Sequence, residues 1–573
     1  MLKLRFDWSG RCLVAVLAAA ALVGCQDATE PHGVAPAAAA YDLASAPTLE
    51  TFYGPTQFTR TKGAPDLFSQ SISTRGYTGP FVLTVQNGAT DGSSRVTNGH
   101  VTLGGVALLG PSDFSTSASG WSIPVTLGDS ATLQVELKGK SGTYLTISLA
   151  GMQHARFCPV ATGDGFGYQT LQGAIDSVAA NHTVWVCDGT HSVDGALLSK
   201  PLTLRAENPG QATLAQDPAA TGKAAILTVS GIASGMVSIT GLTFSYSNIG
   251  LYTLDYDSLS VTGTTFAGPT IPPAQTWGVF LDLTPTPPSS ALFDHDTFTG
   301  GVSGLGQSQP VNIVTTNSNF HDITGYALIY STANGTSNPA PAGGTAIMRG
   351  GRVEYNTFTN CGSGICIGLE QSGADTVRFN SINMPSGSVG DGIFLNRPGQ
   401  TAALTQPAVI TDNVLTGHAP VGDPSIQANW GFRGGIVENN GIPGVIDDVE
   451  RNQINSAFYG ISLRGGGTAN FAVSVSAQDN QITNVYVGWV VDQSWNVLTA
   501  HRNDISAYVY PITRLLTAKA PIPTAPTLTA SALTCNWWGS ASGPANMLPG
   551  VLVAAYTPFA TAPIANTATA CTP

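Results

Sequence analysis

One short motif recurs through about half of this 573-residue chain. It consists of a polar residue, then any residue, then a large apolar one. Asparagine copies begin at Asn356, Asn380, Asn413, Asn452, Asn480, Asn503 and Asn536, and weaker copies begin at Leu242, Thr264 and Asp296. The asparagine copies are 24, 33, 39, 28, 23 and 33 residues apart. These steps indicate a unit of about 22–24 residues with insertions, and a period of that length is typical of a solenoid.

Most copies are followed by a glycine and a short segment in which apolar and polar residues alternate. Examples are Gly278–Asp282, Gly364–Gly368, Gly392–Asn396, Gly460–Arg464 and Gly488–Asp492. Alternation with period two indicates a strand with one face inside, so we expect Ile461 and Leu463 inside and Ser462 and Arg464 outside. An asparagine at one corner of every coil would form a ladder of stacked amide hydrogen bonds. The sequence therefore predicts a parallel β-solenoid.

This pattern resembles the right-handed parallel β-helix of the pectin-lyase-like superfamily, over residues 158–545. The segments Thr183–Thr190 (TVWVCDGT) and Lys200–Ala206 (KPLTLRA) resemble the first coils of carbohydrate-associated β-helix proteins. The segment Cys535–Pro544 (CNWWGSASGP) resembles their closing coil, in which we expect tryptophan to plug the end. The resemblance implies a fold of 11–13 coils and a C-terminal tail over residues 546–573, and it implies no particular reaction.

The first 24 residues have the features of an export signal. Lys3, Arg5 and Arg11 precede an apolar run of 12 residues, which is too short to span a bilayer. The run ends in Leu-Val-Gly followed by Cys25, which resembles a bacterial lipobox and implies that Cys25 is lipidated; an ordinary signal with a chance cysteine is the alternative. Gln26 after the cysteine implies the outer membrane, on its periplasmic face or at the cell surface. Residues 25–49 are expected to form a flexible tether.

Two further elements are predicted between the tether and the repeats. Residues 50–152 contain short alternating segments separated by turn residues at about ten-residue spacing, which predicts a β-sandwich accessory domain. In the segment Phe166–Val178, Leu171, Ile175 and Val178 share one helical face. A short helix there would cover the open end of the solenoid.

Cysteine content and charge restrict the partners. Six cysteines remain after Cys12 and Cys25; fifteen pairings are possible, and the simplest joins Cys158 to Cys187, Cys361 to Cys366 and Cys535 to Cys571. No metal-ligand spacing accompanies them. The net charge of −12 argues against nucleic acid as a partner. We expect a monomer without a cofactor, although carboxylates in a groove would leave room for calcium.

The active-site patterns known for this fold do not match the chain. Asp447-Asp448 has no accompanying basic motif, and Asp294-His295-Asp296 lies at a predicted corner. Stacking the strands brings together an outward row of Asp282, Asn396, Arg464 and Asp492, and a row before the glycine of Trp277, Asp391 and Tyr459, with Trp489 nearby. Asp282, Asp391, Arg464 and Asp492 are therefore candidates for catalysis, and Trp277, Asn396, Tyr459 and Trp489 for carbohydrate binding, because aromatic faces and polar edges suit sugar rings. A row of solvated surface residues is the alternative.

Three functions remain open from the sequence. The first is a surface lipoprotein whose β-helix engages a polysaccharide or another cell-envelope component without turnover. The second is a polysaccharide lyase or glycoside hydrolase, and the third is a structural or adhesive stalk. The low charged fraction of 10% and the unmatched active-site patterns favour the first.

Overall fold

The computed structural model describes the chain in segments between residues 49 and 564. These are 49–159, 167–217, 225–272, 275–282, 289–308, 312–331, 351–362, 364–370, 375–386, 388–397, 407–441, 444–464, 472–492, 496–513, 527–544, 552–555, 559–560 and 562–564. The predicted signal segment, Cys25 and the tether up to residue 48 lie outside the described residues. None of the helices in these ranges has the length and apolar character needed to cross a membrane.

The N-terminal part forms two antiparallel sheets of four strands. The first contains Glu50–Thr59, Tyr77–Asn87, Gly120–Val125 and Tyr144–Phe157, and the second contains Asp66–Ser73, Asn98–Leu103, Val106–Leu109 and Ser130–Lys138. A single turn of 3-10 helix spans Pro111–Asp113. Alternate residues such as Leu133, Val135 and Leu137 enter a common core between the sheets. The predicted β-sandwich is confirmed.

One continuous strand joins the sandwich to the solenoid. Tyr144–Phe157 pairs antiparallel within the sandwich, and its last four residues pair in parallel with Thr183–Val186. The strand Gly167–Tyr168 pairs in parallel with Arg156 and Phe157 on the opposite edge. The helix Leu171–Ser177 follows, with Thr170 Oγ1 accepting from the Gly173 N–H at 3.1 Å. Its buried residues Leu171 and Ile175 pack on the first coils, as the sequence predicts.

From Thr183 the chain winds into coils with three faces, and each strand pairs in parallel with the equivalent strand of the next coil. The first face contains Thr183–Val186, Thr203–Ala206, Met236–Thr240, Ser258–Thr262, Ser290–Asp294, Asn312–Thr316, Arg352–Glu354, Thr376–Arg378, Val409–Thr411, Asp447–Glu450, Ser474–Gln478, Val497–His501, Thr527–Ala532 and Leu552–Ala555. The second contains Gly189–Val193, Ala212–Gln216, Leu242–Ser245, Thr265–Ala267, Thr297–Thr299, Asn319–His321, Thr357–Thr359, Ser381–Asn383, Val414–Thr416 and Gln453–Asn455. The third contains Ala196–Leu198, Ala225–Val229, Ile249–Thr253, Trp277–Leu281, Ser303–Gln307, Tyr326–Ser331, Ile365–Glu370, Gly390–Asn396, Phe432–Asn440 and Ala457–Leu463. Gln481–Val491 and Asp504–Thr513 run across the second and third faces without a break. The chain is therefore a parallel β-helix.

The interior is a stack of apolar side chains that continues from coil to coil. Phe244, Phe266, Phe298, Phe320 and Phe358 stack with ring centroids 4.5–5.1 Å apart. These phenylalanines are the third residues of the sequence motif or of its counterpart at Ser318. The distance between successive rings is close to the distance of about 4.8 Å between parallel strands. Each of these copies of the motif therefore supplies one ring of the core stack.

The strand Ala457–Leu463 shows where the alternation rule holds and where it does not. Ile461 and Leu463 are inside, as expected. Ser462 is on the outer side but is fully buried, which corrects the expected exposure. Arg464 covers it, because the Arg464 Nε donates to the Ser462 Oγ at 3.2 Å.

The predicted asparagine ladder is present at the corner between the first and second faces. The Asn413 backbone N–H and Nδ2 both donate to the Asn452 Oδ1, at 3.1 and 2.9 Å. The Asn452 Nδ2 donates to the Ile410 carbonyl at 2.8 Å and to the Asn480 Oδ1 at 3.0 Å. The same pattern runs from Asn356 to Asn536. Each side chain thus satisfies buried backbone groups of the preceding coil.

Asp296 occupies a ladder position that asparagine fills elsewhere. Its Oδ1 accepts from the Thr264 N–H at 2.8 Å, and its Oδ2 has no partner among the described residues. Burial raises the pKa of Asp296 well above its usual value. A raised carboxyl pKa stabilises the fold below the pKa of the unfolded chain and loses that contribution as the pH rises.

We expect Asp296→Asn to raise the free energy of unfolding by about 1–2 kcal/mol at pH 8 and by less at pH 5, because the amide supplies a donor and carries no charge. Urea unfolding at the two pH values measures this difference. The control is Asp322→Asn, since His321 and Asn360 lower the pKa of the exposed Asp322 carboxyl. An equal gain in both variants would contradict the explanation.

The cysteines and the closing tryptophan follow the prediction in part. Disulfides join Cys158 to Cys187 and Cys361 to Cys366. Cys535 is buried and unpaired among the described residues, and its predicted partner Cys571 lies outside them. Trp538 is buried in the solenoid core, as expected for an end plug.

Candidate functional site

The candidate site lies on the outer side of the third face, in the coils that begin with Gly390–Asn396. Equivalent outward positions of successive coils hold Asp391, Gly434, Tyr459, Val487 and Tyr510. The strand Phe432–Asn440 carries one extra residue here, since Phe432 pairs with Gly390 and Gly434 pairs with Asp391. Such a bulge redirects a side chain. It brings Arg433 to Asp391, with the Arg433 Nη2 3.0 Å from the Asp391 Oδ2.

Asp391 is a largely buried carboxyl group at an outward position, with 4% of its surface exposed. Burial raises the pKa of Asp391, and the charges of Arg433 and Arg464 partly oppose this change. The backbone N–H of Gly434 also favours the ionised form. The group therefore holds a proton more readily than an exposed aspartate does.

Arg464 reaches the same place from two coils further on. Its guanidinium carbon lies 5.8 Å from the centroid of the Tyr459 ring, and its Nε is held by Ser462. Gly434 leaves room between Asp391 and Arg464: a Cβ atom there would lie 2.3 Å from Val437 Cγ2. A side chain at position 434 would therefore displace Val437, whereas Asp391 Oδ1 and Arg464 Nη2 lie 3.5 and 3.8 Å from that Cβ position.

An apolar cluster separate from the core adjoins the charged cluster. It contains Trp430, Phe458, Tyr459, Val487 and Val490, with Tyr486 and Tyr510 packed against it. The segment between Thr416 and Phe432, which includes the 3-10 turn Gln427–Asn429, delivers Trp430. The Trp430 Nε1 donates to the Pro424 carbonyl at 2.8 Å. Phe458 and Tyr486 stack with centroids 4.8 Å apart, and Tyr486 and Tyr510 remain partly exposed.

The structure separates the predicted residues Asp282 and Trp277 from this cluster. Trp277 shares a column with Asp391 but precedes it by four coils, which corresponds to about 19 Å. Its ring is 5.0 Å from that of Phe280 and packs over Gly306. Asp282 accepts hydrogen bonds from the Tyr252 hydroxyl at 2.5 Å and the Ser308 hydroxyl at 2.8 Å. These residues form a patch of their own.

Asn396 and Asp492 lie at the outer end of third-face strands, as predicted. Asn396 is partly buried, and its Oδ1 is 3.4 Å from the Asn439 Nδ2. The Asp492 backbone N–H donates to the Leu463 carbonyl at 3.0 Å, one coil from Arg464. Their roles in binding and catalysis stay predictions.

Two predicted carbohydrate-binding residues do not present a ring face. Trp489 pairs with Ile461 and Ile512, so it lies in the interior column and is fully buried. Tyr459 is on the outer side but is 1% exposed beneath Phe458 and Arg464. Both expectations are corrected: Trp489 is a core residue and Tyr459 supports Arg464. The partly exposed rings of this region are Tyr486 and Tyr510.

Sequence reasoning missed a charged cluster inside the solenoid. Arg397, Glu438 and Asp447 are all buried, and the Arg397 Nη2 donates to the Asp447 Oδ2. Glu438 takes the inward position that Leu395 and Leu463 hold in the adjacent coils. Burial raises the pKa of Glu438 well above its usual value, and Asp447 adds to that effect. Glu438 stands in a column where the adjacent coils have leucine, which would identify it as a buried charge. This column can be recognised in the sequence only when the register of the strand across the bulge at Arg433 is known.

The described residues offer no ligand set for a metal. No group of three His, Cys, Asp or Glu side chains in these ranges could hold an ion. Calcium, which the sequence left open, therefore has no identified site in this part of the chain.

Comparison with known proteins gives similarities of fold only. No family model and no curated protein sequence matches the chain. Among solved structures, a GH87 alpha-1,3-glucanase catalytic domain in complex with tetrasaccharides is 11% identical, with 85% of this chain and 99% of that chain covered and a TM-score of 0.46. The Agl-KA catalytic domain is 12% identical, with coverage of 80% and 88% and a TM-score of 0.35. A pectin methylesterase in complex with a hexasaccharide is 12% identical, with coverage of 46% and 78% and a TM-score of 0.27.

Proposed function

We propose that this chain is an exported, monomeric lipoprotein whose β-helix binds a polysaccharide on the outer side of its third face. The observation that carries the proposal is the charged cluster of Asp391, Arg433 and Arg464 beside the partly exposed rings of Tyr486 and Tyr510. Guanidinium groups offer several N–H donors in a fixed plane, and aromatic rings pack against the apolar faces of sugars. Both features are typical of carbohydrate sites.

The two guanidinium groups are held in place before any ligand arrives. Asp391 orients Arg433, whereas Ser462 and Tyr459 orient Arg464. Preorganised donors lose less conformational entropy on binding. With one carboxyl group and two cations, the cluster has local positive charge on a chain of net charge −12. Such a site accepts sugar hydroxyl groups and also the acidic groups of a charged glycan.

The membrane location is supported by the sequence of the first residues. The apolar run ends at Cys25, and residues 25–49 would hold the folded part away from the outer membrane. Several acyl chains on one cysteine would anchor the protein stably, at about 0.8 kcal/mol for each buried CH₂ group. Incorporation of labelled palmitate that is lost in Cys25→Ser would support this anchor.

We expect Arg433→Ala and Arg464→Ala each to weaken polysaccharide binding about ten- to a hundred-fold, which corresponds to one lost charge-assisted hydrogen bond. Isothermal titration of the mature chain against acidic polysaccharides measures the change. Arg502→Ala is the matched control, because Arg502 pairs with Asp479 on a different side of the coil. Equal weakening in all three variants, or no binding to any polysaccharide, would contradict the proposal.

A glycoside hydrolase or lyase is the second candidate, and Asp391 is the observation that favours it. A carboxyl group with a raised pKa can serve as a general acid. The same polysaccharide incubations, read for new reducing ends and for the absorbance of unsaturated products, separate turnover from binding. Product that disappears in Asp391→Asn would establish an enzyme. Binding without product would favour a protein that binds the polysaccharide without turnover.

A further inference from the structure

The outer side of the second face is a separate surface made of small polar residues. Each short strand there points its middle apolar residue inside and its first and third residues outside. Over the five coils from Thr357 to Thr483, nine of the ten outward residues are Thr, Ser, Asn or Gln, and the tenth is Val414. None of the ten carries a charge. The parallel register places equivalent side chains one strand spacing apart, at about 4.8 Å.

Three of these coils enclose a shallow groove. Its polar lining comes from Thr416, Gln453, Asn455, Gln481 and Thr483. Gln453 and Gln481 are exposed, and among the described residues their side-chain amides have no hydrogen-bond partner. The Asn455 Oδ1 accepts from the Asn484 Nδ2 at 2.9 Å, which fixes the orientation of the Asn455 amide. The groove therefore presents uncharged donors and acceptors, of which the Asn455 amide is held in one orientation.

A pair of exposed aromatic rings borders this surface on two coils. Tyr355 and Phe379 stand at the corner between the first and second faces, directly before Asn356 and Asn380 of the ladder. Their rings stack with centroids 4.9 Å apart and planes 14° apart, and 53% and 42% of their surfaces are exposed.

Both residues have a positive φ, 59° and 57°. Bulky residues rarely adopt this conformation, which favours Asn, Asp and Gly. At the same corner in later coils, polar residues pair with each other, as Asp412 does with Arg451. The two rings contact each other and the Arg378 guanidinium, whose carbon lies 5.6 Å from the Phe379 centroid, but backbone preference and core packing do not favour them here. Two bulky exposed rings at a positive φ are therefore a basis for a hypothesis of function.

We propose that the second face, together with the Tyr355–Phe379 corner, binds an uncharged polysaccharide chain that lies along the axis of the solenoid. Sugar hydroxyl groups complement the amides and hydroxyls of the groove, and an apolar sugar face complements the rings. The coil spacing is close to the length of one sugar residue, so successive coils offer the same groups to successive sugars. The described residues that line the groove include no cation, and the Arg378 cation at the corner, over the Phe379 ring, is paired with Glu354, whereas the third-face cluster has two cations.

A second copy of the chain is a poorer occupant of this surface. Stable dimer interfaces have an apolar core, and Val414 is the one apolar outward residue among the ten positions. The surface also lies on a different face from Asp391, Arg433 and Arg464. The inference therefore stands whether or not the third face binds a glycan.

The test uses the full mature chain and four probes. These are hydroxyethyl cellulose, laminarin and particles of α-1,3-glucan, all uncharged, and polygalacturonate as the charged control. We expect retention on at least one uncharged probe and at least ten-fold weaker retention for Tyr355→Asn/Phe379→Asn. Asparagine tolerates a positive φ, so urea unfolding of this variant is expected to be unchanged or shifted to higher urea.

Two further variants complete the design. Gln453→Glu/Gln481→Glu keeps the side-chain size, replaces two donor NH₂ groups by charged carboxylate oxygens and is expected to weaken retention on the uncharged probe by at least five-fold. Arg433→Ala is measured beside it to distinguish the two surfaces, because binding to the second face does not require Arg433. No retention on any uncharged probe, equal retention by the Tyr355→Asn/Phe379→Asn variant, or a loss confined to Arg433→Ala would overturn the proposal. So would a dimer in sedimentation that the second-face substitutions dissociate without affecting retention.

Discussion

Replacing Arg397 by leucine is expected to lower the free energy of unfolding by about 3–5 kcal/mol at pH 7. Arg397 is 2% exposed inside the solenoid, and Asp447 and Glu438 lie beside it. Burial alone would lower the pKa of Arg397, but the charges of Asp447 and Glu438 outweigh burial and raise it above its usual value. Removing the cation leaves buried carboxyl groups without a compensating charge, and this is costly in a medium of low polarity.

The loss is expected to shrink as the pH falls. Burial and the neighbouring Asp447 already raise the pKa of Glu438 well above its usual value, and removing Arg397 removes the charge that opposes this rise. Groups shifted in this direction contribute stability at low pH and lose it as the pH rises. Urea unfolding at pH 4.5 and pH 8 should therefore show a small and a large difference from the parent chain, respectively.

A double variant tests whether charge or packing is the cause. Arg397→Leu/Asp447→Asn removes both charges of the ion pair. The Asp447 Oδ1 accepts from the Ala408 N–H at 2.7 Å, and the oxygen of the introduced amide can keep this hydrogen bond. We expect the double variant to recover most of the loss, because replacing a whole buried ion pair is often neutral. If it were as unstable as Arg397→Leu at both pH values, lost packing rather than unpaired charge would be responsible.

The coils could be predicted from the sequence because one period controls every level of the structure. The asparagine that starts each motif satisfies buried backbone groups of the adjacent coil, and the apolar residue two positions later fills the core. A residue type is thus tied to a place in the fold. Asp296 and Thr264 follow the same rule as weak copies. Ser318, whose motif reads Ser-Asn-Phe, continues the ladder to Asn356 but is not among the predicted copies.

The candidate site could be predicted only in part because its strands do not keep one register. The sequence predicts Arg464 on the outward row and Asp391 on the row before the glycine, and the structure brings the two close together. Arg433 joins them through one extra residue, which no periodic rule foresees. Trp489 is wrongly predicted as a sugar-binding residue although its strand keeps the register. It follows a glycine at an inward position, and its large ring fills the core there. Glu438 follows the bulge at Arg433 in the same strand, and this bulge determines that its side chain lies in the interior.

Asn452→Ala is expected to lower the free energy of unfolding by about 3 kcal/mol. The substitution leaves the buried Asn413 N–H without its acceptor and the Ile410 carbonyl without the Asn452 Nδ2 donor. Each unsatisfied buried group costs about 1–3 kcal/mol.

In a solenoid each coil contacts only its neighbours. The weakened contact between the coils of Asn413 and Asn452 can therefore open locally as well as in global unfolding. We therefore expect a lower urea midpoint, and faster amide hydrogen exchange in the strands on either side, Val409–Thr411 and Asp447–Glu450. Gln453→Ala is the matched control, because Gln453 is the next residue, is exposed and points outward. Its expected change is within about 0.5 kcal/mol.

Asn452→Asp distinguishes the two hydrogen-bonding functions of the amide, because it keeps the acceptor for Asn413 and loses the donor to Ile410. Its loss should be small at pH 5 and grow towards pH 8, as a buried carboxyl group resists ionisation. A pH-independent loss in Asn452→Asp would show that the ladder does not bury its side chains as the structure indicates.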